Sequence, residues 1–478
     1  MVEVPDDGST LLAVLRDHLG LRGPKDGCSP QGQCGCCTVL VDGAPRVACV
    51  TPARRVDGRH ITTIDGLPDA AAWAAALVAT GGSQCGFCTP GIICRLAAGG
   101  DLAAHLCRCT GWQTIVEAMA RVGDSVAPRD LDAASRRASI EGGVPQAVGA
   151  HVALGRGGFA DDTAPADALV AVPDGRGGWA VGETLADARA KAGKIQGRRT
   201  TATPSHPLSV PPGEWARTLR TTWVEPAYLE TDASWCAPGG EPASPLGNGG
   251  AFGGKAGSVA PAAARQLADE LGRPVRVLLS REDTVRLGPK RPPLAAGIRA
   301  DGSGEVVVAR TPGIADAIRS VAPRLHVTEV GVPGPPTSIA LRAAGWAEAA
   351  VLLASPTVTA PNGAVAAAEV GADRVRVHVS CGDPLDEVVL RSYCIGAVHM
   401  ALGWVRSEGL VVDEEGTVHD LTIRSFGILR PKEMPAVEVM IAGDGPPVNG
   451  SDAVFAAVAA AEWIRQGFPQ DWPAGGAR

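Results

Sequence analysis

Leu11, Leu12, Leu15 and Leu19 recur at helical spacing, so an amphipathic helix is expected after Ser9, which would cap it, with Gly20 ending it. Val2 to Val4, just ahead, reads as a short strand. Residues 37–50 alternate and predict a hairpin turning at Asp42-Gly43. Three Ala-rich or Pro-initiated segments, 69–80 after Asp69, 90–98 with Pro90 at the favoured first position, and 112–122, read as helices. From about 123 to 146 the chain turns polar, with Pro128 and Arg136-Arg137, and an interdomain linker is expected there. Farther on, 165–173, 271–280 and 374–380 read as strands among Gly/Pro loops, and 259–271 (capped by Ser258) and 453–466 (preceded by Ser451-Asp452, closed by Gly467) as helices. The pattern is that of a mixed α+β chain without internal repeat.

Composition narrows the class. At 478 residues there is room for several domains, each with its own core. A net charge of -7 with both signs mixed leaves no basic face for nucleic acid and no acidic tail. Aromatics make up only 4%, while 61 Gly and 38 Pro imply many irregular connections. Ten of 13 cysteines fall within the first 109 residues. With neither a signal peptide nor a membrane span expected, the chain reads as cytoplasmic, where thiols bind metal more readily than they form disulfides.

The cysteines fall into two quartets. Cys34-x2-Cys37, followed after eleven residues by Cys49 and preceded by Cys28, matches a plant-type [2Fe–2S] loop except that five residues, not four, separate Cys28 from Cys34. Ser29-Pro30-Gln31-Gly32-Gln33 would have to bulge outward, and Cys36 is expected to point away as a bystander. The second quartet is Cys85-x2-Cys88 with Cys107-x-Cys109, set where helices begin and where free backbone N–H groups favour a negative cluster. Zinc is the competing reading, since four thiolates suit it equally well.

Gln84-Cys85-Gly86-Phe87-Cys88-Thr89-Pro90-Gly91 and Leu106-Cys107-Arg108-Cys109-Thr110-Gly111-Trp112 resemble the second iron–sulfur domain of the xanthine dehydrogenase/aldehyde oxidase family of molybdenum hydroxylases. The resemblance implies a β-grasp, plant-type ferredoxin-like domain at 1–66, a helical [2Fe–2S] domain at 67–122, and the linker at 123–146. It further implies a small α+β domain at 147–232 and a shortened molybdopterin-binding-like domain at 233–478. Two [2Fe–2S] clusters would be held by the eight cysteines, with Gln84 beside the pterin.

Gly249-Gly250-Ala251-Phe252-Gly253-Gly254-Lys255 is similar to the family's glycine loop, where backbone N–H groups approach the molybdopterin cofactor. A P-loop reading fails at Ala256, where Ser or Thr is needed for magnesium. Further landmarks come in family order: Gly157 to Asp162, Tyr228 to Thr231, Gly272 to Val275, Ser280 to Asp283, and Arg342 to Glu348. The reacting groups depart from the pattern. Where the family carries a glutamate general base, this chain has Val448-Asn449-Gly450-Ser451-Asp452; Asp452 could serve, or could simply stand at the start of the 453–466 helix. Val224 replaces a glutamine that hydrogen-bonds the metal centre, and Ala256 an acidic residue of purine-oxidising members. Arg342 remains to face substrate.

Two functions follow. In the first, the chain is a molybdenum hydroxylase or a subunit of one, passing electrons from a molybdopterin site through both clusters to an external flavin or protein acceptor, for no FAD domain or GxGxxG fingerprint is read. In the second, it is a non-catalytic iron–sulfur electron-transfer subunit whose degenerate molybdenum-like region docks a complete partner. Both imply an oligomer with a flavin-binding or complete molybdenum subunit.

Overall fold

The computed structural model describes residues 8–193 and 200–475, so the expected strand at Val2 to Val4 lies outside the described residues. The first helix is capped by Thr10, not Ser9: the Ala13 amide donates to its Oγ1 at 3.2 Å. It makes one α-turn, Leu11–Ala13, and widens into a π-helical stretch, Val14–His18. That register buries Leu11, Leu12 and Leu15 but leaves Leu19, expected on the same face, exposed. The predicted hairpin forms from Thr38–Val41 and Ala44–Val47, and Asp42 (φ 49°) and Gly43 (φ 77°) supply the two positive dihedrals of the tight turn. Ile61–Thr62 completes a three-stranded antiparallel sheet.

Helices Ala70–Thr80, Thr89–Ala97 and Gln113–Met119 follow, the second with Pro90 in its first turn. The segment expected as a linker contains a 12-residue helix, Leu131–Gly142, capped by Asp130. Its polar composition misled because its inward groups are charged: Arg137 and Glu141 are 0% and 2% exposed. Buried charge is tolerated only when paired and hydrogen-bonded, and both conditions are met. Arg137 donates to the carbonyls of Pro384 and Val448, and Glu141 accepts the amides of Gly450 and Ser451.

Three further sheets are mixed. One runs Trp179–Gly182, Leu169–Pro173, Val275–Leu278, Ala233–Cys236, with helix Ala260–Leu271 on one face. A five-stranded sheet runs Leu325–Val330, Gly304–Ala309, Leu294–Ile298, Arg217–Thr221, Asp471–Trp472. The last runs Thr357–Thr359, Val365–Val370, Arg374–Ser380, Ala436–Ala442; Arg374–Ser380 alternates strictly between exposed and buried positions, as a strand covered on one face does. The covering element is Ser451–Arg465, which in turn packs on Glu387–Arg406. That 20-residue helix is apolar enough to cross a membrane, yet 89% of its apolar window is buried within the fold, so here it is a core helix. Where it crosses the second cysteine loop the two backbones touch: a Cβ on Gly396 would overlap the Cys109 carbonyl oxygen. The fold is a mixed α+β, multidomain one in which the C-terminal core helix is seated directly on the cysteine region.

Candidate functional site

All eight candidate ligand cysteines are buried. Cys28 and Cys34 lie in the loop before the hairpin, Cys37 immediately precedes its first strand, and Cys49 sits in the 3₁₀ turn Ala48–Val50 that follows the second. Backbone amides already point at sulfur: Gln33 donates to Cys28 Sγ and Cys49 to Cys37 Sγ, both at 3.4 Å. Hydrogen bonds from the Cys34 and Cys49 thiols hold Cys28 well below the ordinary thiol range, while the donors Cys34 and Cys49 are pushed up. The extra residue between Cys28 and Cys34 is absorbed by a loop with positive φ at Ser29 and Gly32, tied down through Gln31 to Glu282 and to the Leu421 carbonyl. Cys36 does not behave as a bystander facing away. Its sulfur accepts a hydrogen bond from the Cys34 thiol, which pulls it down most strongly, but burial together with repulsion from Cys28, Cys37 and Cys107 leaves it raised.

The second quartet is brought together by two loops, each ahead of a helix. Cys85 and Cys109 stand Sγ to Sγ at 3.6 Å, and Cys88 hydrogen-bonds Cys107. That bond, with help from Thr110 Oγ1 at 3.2 Å and against burial, brings the Cys107 thiol down to about 6. Among the described residues no three His, Cys, Asp or Glu side chains stand close enough together to hold a single metal ion. The second set is arranged instead as two pairs, the pattern a binuclear core needs, since each iron takes two thiolates; the donors are the right ones for a [2Fe–2S] group. Between the ligands, Arg108 points away from the thiols and makes a buried bidentate pair with Glu408 at 2.6 and 2.7 Å, plus a bond to the Pro226 carbonyl at 3.0 Å. Sequence reasoning missed this knot, because nothing local to Glu408 announces a partner 300 residues away.

The glycine loop does reach the second quartet. A Cβ on Gly250 would stand 2.8 Å from Cys85 Cβ and 3.0 Å from its Sγ, so only glycine lets the loop lie there. Its other open sides face protein as well: Gly249 abuts the Gln146 amide and Gly253 the Ala340 carbonyl. Gln84, expected beside a pterin, donates to the Cys109 carbonyl at 3.0 Å and to Ser392 at 2.8 Å. Ala251 and Phe252 are buried, Phe252 under the Arg342 guanidinium at 4.7 Å. Gly254 packs on Tyr228.

The two candidate catalytic residues find each other. Arg342 Nε donates to Asp452 Oδ1 at 2.9 Å and its second terminal nitrogen to Ser451 at 2.9 Å. Burial pushes the Asp452 carboxyl up, against the pull of Arg342. Asp452 lies in the first turn of Ser451–Arg465 as the capping alternative foresaw, although the cap itself is Gly450, served by Glu141 from the unexpected helix. Val224 is buried and offers only its carbonyl, which accepts from the Arg291 amide. The cavity shared by Arg342, Val224 and Glu408 has a volume of about 30 Å3, and that between the glycine loop and Cys85 and Cys109 about 10 Å3. Each has room for about one or two waters, where a cofactor pocket spans several hundred Å3. The residues present do not fit a pterin.

Residues 1–60 match the model of the 2Fe-2S iron-sulfur cluster binding domain. The chain is 42% identical over 137 residues to an aldehyde oxidoreductase of Megalodesulfovibrio gigas, spanning 24% of this chain and 15% of that one. It is 39% identical over 124 residues to a probable xanthine dehydrogenase subunit of Bacillus subtilis, spanning 23% of this chain and 71% of that protein. In three dimensions it is similar to the aldehyde oxidoreductase from Desulfovibrio gigas, with a TM-score of 0.67 over 97% of this chain and 96% of the other, at 15% identity, which is a likeness of fold. A cluster-binding domain at the N-terminus, close kinship to a subunit of known family, and a shared fold beyond it converge: the chain belongs to the xanthine dehydrogenase/aldehyde oxidoreductase family of molybdenum hydroxylases, with an iron–sulfur electron-transfer role in it.

Proposed function

We propose that this chain is an electron-transfer subunit that works through Cys28, Cys34, Cys37 and Cys49 and through Cys85, Cys88, Cys107 and Cys109, and that the region around Arg342 is a structural remnant rather than a site of oxidation. When bound, two [2Fe–2S] clusters at these cysteines would supply one-electron transfer across the molecule. The chain's own residues bury all eight thiols, aim amides at Cys28 and Cys37, and fasten the second cluster loop through Arg108 to Glu408. The single observation that carries the non-catalytic half is the Arg342–Asp452 ion pair, which ties up the group meant for substrate with the group meant as base. The filled glycine loop supports the same reading. Units at 1–66 and 67–122 suit it, since the three-stranded sheet and the cluster helices fall on either side of that division. The complete molybdenum subunit and the electron acceptor are then partners, docked on this chain or through it.

Metal analysis tests the proposal. Protein purified from a host that makes molybdopterin should hold about four Fe per chain, show two distinct [2Fe–2S] electron paramagnetic resonance signals on reduction, and carry essentially no molybdenum. Molybdenum near one per chain would restore the hydroxylase reading, and zinc in place of iron would remove both.

A further inference from the structure

Two arginines from far along the chain grip the loop of the first quartet. Arg281 Nη2 donates at 2.8 Å to the carbonyl of Gly27, the residue before Cys28, and at 2.8 Å to the Leu229 carbonyl. Arg424 Nε donates at 2.9 Å to the carbonyl of Gln33, the residue before Cys34. Gly27 lies flush against a ligand, since a Cβ there would stand 3.1 Å from Cys34 Sγ. Arg281 is 0% exposed, yet its Nε and Nη1 have no hydrogen-bond partner. The other buried arginines, Arg16, Arg108, Arg137, Arg276, Arg291 and Arg342, each make an ion pair, whereas Arg281 and Arg424 make none among the described residues. Around the Tyr228 ring, 5.9 Å from the Arg281 guanidinium, the acids are engaged elsewhere: Glu225 is paired with Lys290 at 2.9 Å and Asp232 accepts from Tyr228 at 2.7 Å.

A desolvated guanidinium without a countercharge is costly, and the anionic groups presented by the loop it holds are thiolates. Against burial and repulsion from Arg430, Cys34 and Cys28 are what hold the Arg424 cation up. The Gln33 carbonyl also belongs to the peptide whose N–H, that of Cys34, is directed at Cys28 Sγ, so drawing on the oxygen sharpens that donor.

We propose that Arg281 and Arg424 are positioning residues that set the reduction potential of the first cluster, holding its Cys28–Cys34 loop with two guanidiniums that no carboxylate neutralises. Positive charge beside a cluster favours the form with one more electron, and so do stronger hydrogen bonds to its sulfurs. The arginine inside the second cluster loop, Arg108, is neutralised by Glu408, so the bias falls on the first cluster. The inference rests on the electron-transfer reading above.

Redox titration of the iron-loaded protein with dithionite tests it, each cluster being followed by its own electron paramagnetic resonance signal, assigned with Cys109→Ser protein. Arg281→Gln should lower the first midpoint by about 59 mV, a tenfold change in its reduced-to-oxidised ratio, and leave the second in place. Arg281→Lys, which keeps the charge, should move it by clearly less. Arg424→Gln, at a half-buried and so partly screened position, should change the ratio about threefold in the same direction. Arg319→Gln, exposed on helix Ile314–Val321, should move neither midpoint. A first midpoint that moves no more in Arg281→Gln than the second does, or as far in Arg281→Lys as in Arg281→Gln, would overturn the assignment. If Arg281→Gln fails to take up iron, Arg424→Gln decides alone, and an unmoved first midpoint there overturns it. Unmodified protein without clusters refutes the electron-transfer reading itself, whereas intact clusters with unmoved midpoints refute only the role of the two arginines.

Discussion

Arg108 and Arg342 are both buried guanidiniums held by an acidic partner, and they lie in the same small cavity. Arg108 is fully desolvated and gripped at both nitrogens by Glu408, with side-chain exposures of 3% and 2%. By that grip it leaves the neighbouring Cys107 and Cys109 thiols directed at their own partners. Arg342 is bound at one nitrogen by Asp452, which is 27% exposed; on the proposed reading that bond takes the guanidinium away from any substrate. On that reading the same interaction preserves chemistry in one region and cancels it in the other. A residue retained in sequence has not thereby kept its role; what decides is where its partner sits.

Perturbing the cluster side should cost far more than perturbing the Arg342 side. Cys109→Ser should abolish the second cluster, taking iron from about four to about two per chain and removing one of two resonance signals. Glu408→Gln leaves a buried guanidinium without its countercharge and should lower stability by about 3–5 kcal/mol, read by urea unfolding, with broadening of that same signal.

His399, on the core helix, connects the two sides. Burial foremost, with Arg108 adding repulsion, pushes its pKa down to about 4, and Nε2 meets the Leu429 carbonyl at 3.0 Å. A histidine depressed in the folded state is protonated first in the unfolded chain, so stability is lost as pH falls from about 6.5 toward 4. Between pH 6.5 and 5 its share is about 2 kcal/mol, and His399→Asn should flatten that part of the curve.

Asp452→Asn should matter least. Arg342 keeps Ser451 and the Phe252 ring, and the loss should be about 1 kcal/mol, with cluster spectra and oxidation rates unchanged. An effect comparable to that of Glu408→Gln would erase the contrast between the two regions.

Much of this was written in local sequence. The hairpin at Asp42-Gly43, the helix after Pro90 and the cysteine spacings follow from turn geometry, fixed proline φ and ligand reach, all short-range matters that a few residues determine. So was the departure at Val224, because a side chain without a polar atom has none in any fold. What sequence could not convey was pairing at long range. Leu131–Gly142 looked like a linker because its buried Arg137 and Glu141 read as solvent-facing until helix ends at 383–384 and 448–451 arrive to satisfy them. The glycines of 249–254 looked like a cradle for a cofactor, since absence of a Cβ is the same signal whether a ligand or a cysteine fills the space. Only the tertiary structure shows Gly250 seated on Cys85 and Asp452 on Arg342, because these contacts join segments far apart in the chain and burial leaves little room between them that is not already occupied.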